Sequence, residues 1–345
     1  GGGGTWSLTI NDNAVFGNDA LDNVTGITSL KVLGNTDFTS SVTATGTIEV
    51  SGTTAINTTN ITTTGDQTYH GNATLGEDVV LEGTTVTFTG QILGGTNDLS
   101  ITGNADFNGA VTNVGTFTVD GDAVINNTIT ATTSLEVTGT TTINTSAVTT
   151  TGTQTYTGDV TLGVNTVLTA GSAQNISMGS DLSGGGHTLT ISGGNFALTK
   201  STTPSVTNLP TLTFTGNAAQ SFDPNGASFN NVTFNTTDTV TLTGALVVAG
   251  NVTVHNSALI LTFTDAAGFE QTNSTALFTI TQGSVNVGTG KFVCGTLSAA
   301  AGTIFTQTGD NGVNIQSAEN IIGAGTINWD NGNAGGTLGL GGSTA

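Results

Sequence analysis

Residues 61–76 read ITTTGDQTYHGNATLG, and residues 148–163 read VTTTGTQTYTGDVTLG, identical at 11 of 16 positions. The offset is 87 residues, and the match continues upstream. Thr47-Ile48-Glu49-Val50-Ser51-Gly52 returns as Ser134-Leu135-Glu136-Val137-Thr138-Gly139, and Asn23 to Ile27 returns as Ala110 to Val114. A fixed period marks an array of stacked units, not a globule built around one pocket. Arrays of this kind serve as scaffolds, spacers or binding surfaces.

Inside the 87-residue unit runs a shorter rhythm of alternating segments separated by Gly-Asn or Gly-Asp. Examples are Gly17-Asn18, Gly34-Asn35, Gly71-Asn72, Gly103-Asn104, Gly121-Asp122, Gly158-Asp159, Gly216-Asn217 and Gly250-Asn251. Glycine adopts positive φ freely and Asn or Asp tolerates left-handed geometry, so these pairs read as turns. Between them the parity is strict: in Thr116-Phe117-Thr118-Val119 and Val232-Thr233-Phe234, apolar residues face one way and threonines the other. Strands of two to five residues at intervals of about 18–20 predict an all-β chain folded as a parallel β-helix, a β-solenoid, with four or five coils per 87 residues and a length on the order of 90 Å. A meander of antiparallel hairpins competes, because Asp310-Asn311-Gly312 and Asp330-Asn331-Gly332 also suit hairpin turns.

Composition agrees with strands. Only 8% of residues are charged, 35% are hydrophobic, and Thr, Val and Ile outnumber the helix formers. Prolines occur only at Pro204, Pro210 and Pro224. Proline cannot donate to a ladder, so the expected organisation is a two-copy array over residues 1–198 and a divergent solenoid segment over 199–345.

The net charge is −20, with Lys31, Lys200 and Lys291 the only cations besides histidine and no arginine. Nucleic acid and anionic membrane surfaces are therefore excluded as partners. Cys294 is the single cysteine and shares parity with Phe292, as a core residue would. No signal peptide or membrane-spanning apolar stretch is evident.

Catalytic chemistry finds little support. His70, His187 and His255 are scattered, and His70 is replaced by Thr157 in the second copy. Glu49 and Glu136 are repeat equivalents, as structural positions would be. Glu77, Asp78 and Glu82 form the densest acidic patch, but Val164, Asn165 and Thr169 replace them. A carbohydrate-active β-helix enzyme needs clustered carboxylates, so the reading is no enzyme and no catalytic, cofactor or metal residue. Gly94-Gly95-Thr96-Asn97-Asp98-Leu99 faintly matches a calcium-binding repeat, which makes Ca²⁺ the one metal worth testing. Sequons at Asn23, Asn57, Asn60, Asn72, Asn126, Asn144, Asn175, Asn231, Asn235, Asn251 and Asn273 permit glycosylation. Outward threonines raise a further alternative, an ice- or glycan-binding face, which requires strict coil length, whereas the intervals here wander.

Thr149 to Gly158 (TTTGTQTYTG) and Ala245 to Val254 (ALVVAGNVTV) resemble repeats of large bacterial surface exoproteins of the filamentous haemagglutinin type. That resemblance implies a right-handed parallel β-helix, export to the cell surface, and structural or adhesive work. Asp223-Pro224-Asn225-Gly226 echoes that family's NPNG secretion motif but lies mid-chain. The expectation is an extracellular, acidic, secreted structural protein or adhesin, a segment of a filament or sheath. Its partners would be further copies of itself, stacked head to tail, and cell-surface glycans. Gly1 to Gly4 and the run from Gly335 to Gly342 offer no obvious polar cap for the coil ends.

Overall fold

The structure is a computed structural model that describes residues 6–17, 24–264, 268–288, 292–308, 315–317, 321–330 and 339–340. The glycine runs at 1–4 and 335–338, Asn18, Asn23, Lys291, the hairpin candidate at 310–312 and Asn331-Gly332 lie outside the described residues. Among the described residues there is no helix, and the strands pair in parallel: the chain is a β-solenoid of about 14 turns. It divides into two compact units, Gly1–Val164 and Asn165–Ala345. The division drawn from the sequence after residue 198 falls inside the second.

In the first unit each turn carries three short strands, and like strands stack into three ladders. The first runs through Ser29–Val32, Ile48–Val50, Gln67–Tyr69, residues 86–88 and 105–107, Ala123–Ile125, Thr141–Ile143 and Val160–Leu162. The second runs from Thr36–Phe38 through Thr54–Ile56, Ala73–Leu75, Ile92–Leu93, Val111–Thr112 and Ile129–Thr132 to Ala147–Thr150. The third runs from Val42–Ala44 through Asn60–Thr63, residues 79–82 and 99–102, Thr116–Val119 and Ser134–Val137 to Gln154–Tyr156. Steps of 18 (Leu30 to Ile48) and 19 (Ile48 to Gln67) match the expected coil length.

The 87-residue repeat is not a whole number of turns. Asn60–Thr63 lies in the third ladder, but its copy Ala147–Thr150 lies in the second. Eleven strands lie between them, and two of these, Val79–Phe88 and Leu99–Phe107, bend round a corner and serve two ladders each. The copy is reached after fourteen steps from ladder to ladder: four turns of three and two more. It therefore returns displaced by one face, after more than four turns and fewer than the five that the coil length allowed. The long strands also depart from the expected two to five residues; Val252–Phe263 spans 12 and pairs with two different strands of the turn below.

Alternation buries one side of every strand. Tyr69, Phe88 and Phe107 stand on successive rungs, with ring centroids 4.9 and 6.3 Å apart and nearly parallel planes. Each turn buries few side chains, so stability accumulates from neighbour-to-neighbour burial along the stack. At the corners the glycines pile up. A Cβ on Gly71 would lie 2.3 Å from the Gly52 carbonyl oxygen, and one on Gly90 would lie 2.3 Å from the Gly71 carbonyl. Gly52, Gly71, Gly90 and Gly109 form one such stack above Gly34, and Gly121, Gly139 and Gly158 form another above Gly103 at a different corner.

The reason for glycine thus differs from the one read in the sequence. Of the eight quoted pairs only Gly17, Gly103 and Gly216 have positive φ; at Gly34, Gly71, Gly121, Gly158 and Gly250 the requirement is close approach of backbone to backbone. The neighbouring amide has its own task. Asn35 Oδ1 accepts from the Thr53 N–H at 2.9 Å, Asn104 from Asp122 at 2.9 Å, and Asp122 in turn from Thr140 at 2.7 Å.

In the second unit the coils lengthen. Around the prolines the steps are 24 (Leu182 to Val206), 23 (Leu189 to Leu212) and 26 (Phe196 to Phe222), yet the ladders stay in register. Pro210 supplies its carbonyl to Asn231, and Pro224 sits in a turn closed by Ala227 N–H on its own carbonyl.

Candidate functional site

The sequence-derived candidates are placed apart from one another. Glu49 is outward on the first ladder, with Lys31 one rung below donating to both carboxylate oxygens at 2.9 Å and His70 Nε2 3.4 Å away. The Lys31 hydrogen bonds hold the Glu49 carboxyl below its usual range, against a smaller opposing effect of burial. Its repeat equivalent Glu136 lies exposed on the third ladder between Thr118 and Thr155. The same outward residue in the two copies therefore meets different neighbours.

Asp78 and Asp98 are employed by the fold. Asp78 Oδ1 accepts from the Asp98 N–H at 2.8 Å, and Asp98 Oδ1 accepts from Thr116 N–H at 2.6 Å. Residues 94–98 form a tight turn in which Asn97 N–H donates to the Gly94 carbonyl, with Gly95 and Thr96 at positive φ. Glu77 and Glu82 are exposed, and no group of three or more metal-binding side chains converges among the described residues. His255 Nδ1 lies 2.6 Å from Thr281 Oγ1, and His187 follows the turn at Gly184 to Gly186. Cys294 is buried, and burial pushes its thiol up to about 12. Lys200 is paired with Asp181, whose carboxyl is held low by that bond and by the Ser205 N–H. Several sequon amides are committed to their neighbours: Asn144 Nδ2 donates to Asn126, and Asn126 Nδ2 to Asp106 and Asn108.

One surface stands out. On the second unit, Thr190, Thr213, Thr233, Thr253, Thr279 and Ser298 occupy successive rungs of a single ladder, all outward. Val167 precedes them on the ladder and Ile322 follows. The steps between them wander (23, 20, 20, 26 and 19 residues), but the surplus is taken up elsewhere in each turn, so the rungs remain in register. Irregular coil length, which in the sequence argued against a regular hydroxyl array, does not disturb this face. Thr211, Asn231 and Asn251 flank it on one side, Thr215, Asn235 and His255 on the other, and no Asp, Glu or Lys lies among these positions.

Among the described residues the six central hydroxyls have no hydrogen-bond partner. Some outward threonines elsewhere do have one: Thr112 donates to the Ile92 carbonyl at 3.2 Å and Thr84 to the Thr64 carbonyl at 3.1 Å. Along the edge that leads into Thr211 and Asn231 opens a cleft of about 660 Å³, lined by Gly185, Gly186, Val206, Asn208, Leu209, Pro210 and Asn230. Gly186 and Asn208 hold positive φ, and the Gly186 N–H donates to the Asn208 carbonyl at 2.7 Å, which fixes the two loops against each other. None of the lining residues is titratable.

No family model matches the chain, and no curated protein or solved structure matches it either. Only the fold and the site geometry bear on function.

Proposed function

We propose that the chain is a non-enzymatic structural and adhesive β-solenoid of the cell exterior, a segment of a filament or sheath that associates end to end with further coils of its own kind. The observation that supports this most is what the repeat keeps. Both copies reproduce an interior device, Thr63/Gly65/Gln67/Tyr69 and Thr150/Gly152/Gln154/Tyr156, together with a glycine corner. The one-face displacement moves every outward residue to a new place. An active site needs its groups held in one arrangement; a scaffold needs only the interior.

The joint that end-to-end association would use is the first described turn. Ser7–Ile10 pairs with Ser29–Val32 on one side, and among the described residues nothing pairs with its other edge. Leu8 stands one rung from Leu30 at an inward position but is 39% exposed, and Trp6 is 69% exposed. An open edge with apolar side chains is a template for another strand. Sedimentation of the chain against its Thr9→Pro variant tests this. Oligomers that grow with concentration and disappear in the variant are expected; a chain that stays monomeric at every concentration overturns the end-to-end reading.

A further inference from the structure

We propose that the hydroxyl ladder of the second unit, with the cleft beside it, is a binding surface for a neutral polysaccharide. This rests on the adhesive part of the reading above, and its test is independent of self-association. Three observations converge on it. The central hydroxyls of Thr190, Thr213, Thr233, Thr253, Thr279 and Ser298 have no hydrogen-bond partner among the described residues, each offering one donor and two acceptors. They recur at the spacing of adjacent strands, about 4.8 Å, over five steps. The surface is uncharged in a chain whose net charge is −20.

An uncharged row of hydroxyls and amides complements an uncharged, hydroxyl-rich chain. Anionic polymers are repelled by the surrounding carboxylates, and a cationic polymer finds no carboxylate on the face itself. Threonine is stiff at χ1, so its hydroxyl is already placed and loses little freedom when a ligand arrives. The cleft gives the surface relief. Leu209, Val206 and Pro210 offer an apolar floor for the C–H face of a sugar ring, while Asn208 and Asn230 supply amides at its rim. That relief favours a polysaccharide over ordered water, which has no apolar face to seat in a cleft.

The test is co-sedimentation of the full chain with insoluble cellulose, β-1,3-glucan and starch, with anionic alginate beads and ice crystals as further arms. Two variants accompany it. Thr213→Val/Thr233→Val/Thr253→Val removes three hydroxyls from outward, half-buried strand positions while keeping β-branched residues. Asn208→Gly removes a rim amide while keeping the backbone at its φ of 50°. Binding to at least one neutral polysaccharide, unchanged by added salt, weakened about tenfold or more by the triple variant and also by Asn208→Gly, is the expected result. Failure to bind any neutral polysaccharide, equal binding by the triple variant, or adsorption to ice or alginate alone overturns the proposal. Thr142→Val/Thr161→Val on the first unit serves as control and leaves binding unchanged; an equal loss there also overturns it.

Discussion

Tyr156 donates its hydroxyl to Gln154 Oε1 at 2.9 Å, just as Tyr69 donates to Gln67 Oε1 at 2.8 Å, although the two tyrosines belong to different ladders. In the first copy Gln67 Nε2 continues to the Ile61 and Glu82 carbonyls at 3.0 and 2.8 Å. In the second, Gln154 Nε2 reaches the Val148 carbonyl at 3.2 Å and Thr150 Oγ1 at 3.3 Å. Both tyrosines are fully buried, which pushes their phenols well above the ordinary value and keeps them donors at any physiological pH. The same corner is thus built twice, one face apart.

Tyr69→Phe leaves a buried amide oxygen without its donor and is expected to destabilise the first unit by about 1–2 kcal/mol. Gln67→Leu strands the phenol and two carbonyls together and is expected to cost about 3 kcal/mol. Urea midpoints compared at matched slopes check both; Gln67→Leu milder than Tyr69→Phe contradicts the network.

Gly71→Ala places a methyl against the Gly52 carbonyl, which belongs to backbone and cannot rotate away. A loss of about 3 kcal/mol is expected, or failure to accumulate as folded protein. Gly302→Ala meets nothing within 4 Å and pays only for its φ of 80°, about 1–2 kcal/mol. Thermal or urea unfolding of the two variants side by side gives the order; the reverse order contradicts the stacked corners.

Acid should weaken the first unit through Glu49. Its carboxyl is depressed in the folded chain by Lys31, so its contribution is present above the unfolded value of about 4.5 and is lost as pH falls through the lower folded value. The pair is about two-fifths exposed, so the effect is small and fades with salt. Urea midpoints taken at about pH 6 and about pH 3 should differ less in Lys31→Met than in the parent chain. An equal pH response in the two contradicts the pairing.

Cys294 should be silent to thiol reagents in the folded chain, because it is buried and its thiol is pushed up to about 12. One equivalent should react after unfolding in denaturant. Rapid reaction of the native protein at about pH 8 contradicts the packing of Phe292–Cys294.

Much of this was legible in the sequence. The alternation in Thr116 to Val119 gave the inward face, and the interval of about 18–20 residues between like strands gave a coil. Three things were not. Turn glycines were legible, but their stacking was not, because close approach arises only once one coil lies on another. The one-face displacement was hidden because 87 residues carry no mark of how many strands share a turn. The hydroxyl face was discounted because residue intervals such as the 26 between Thr253 and Thr279 look irregular, whereas register is set by hydrogen-bonded rungs and extra residues leave through the corners.

The displacement is also what most directly distinguishes this fold from a simpler repeat. If the 87-residue unit filled whole turns, Glu49 and Glu136 would share a ladder, and Glu136 would follow Glu49, Thr68, Thr87 and Asp106 as the next rung. In the structure the rung beside Asp106 is Val124. Neighbouring parallel rungs lie about 4.8 Å apart, within reach of a disulfide. In a Cys294→Ala background, Asp106→Cys with Val124→Cys should oxidise to a disulfide in the folded chain, and Asp106→Cys with Glu136→Cys should not. A disulfide in the second pair and none in the first contradicts the three-ladder solenoid described here.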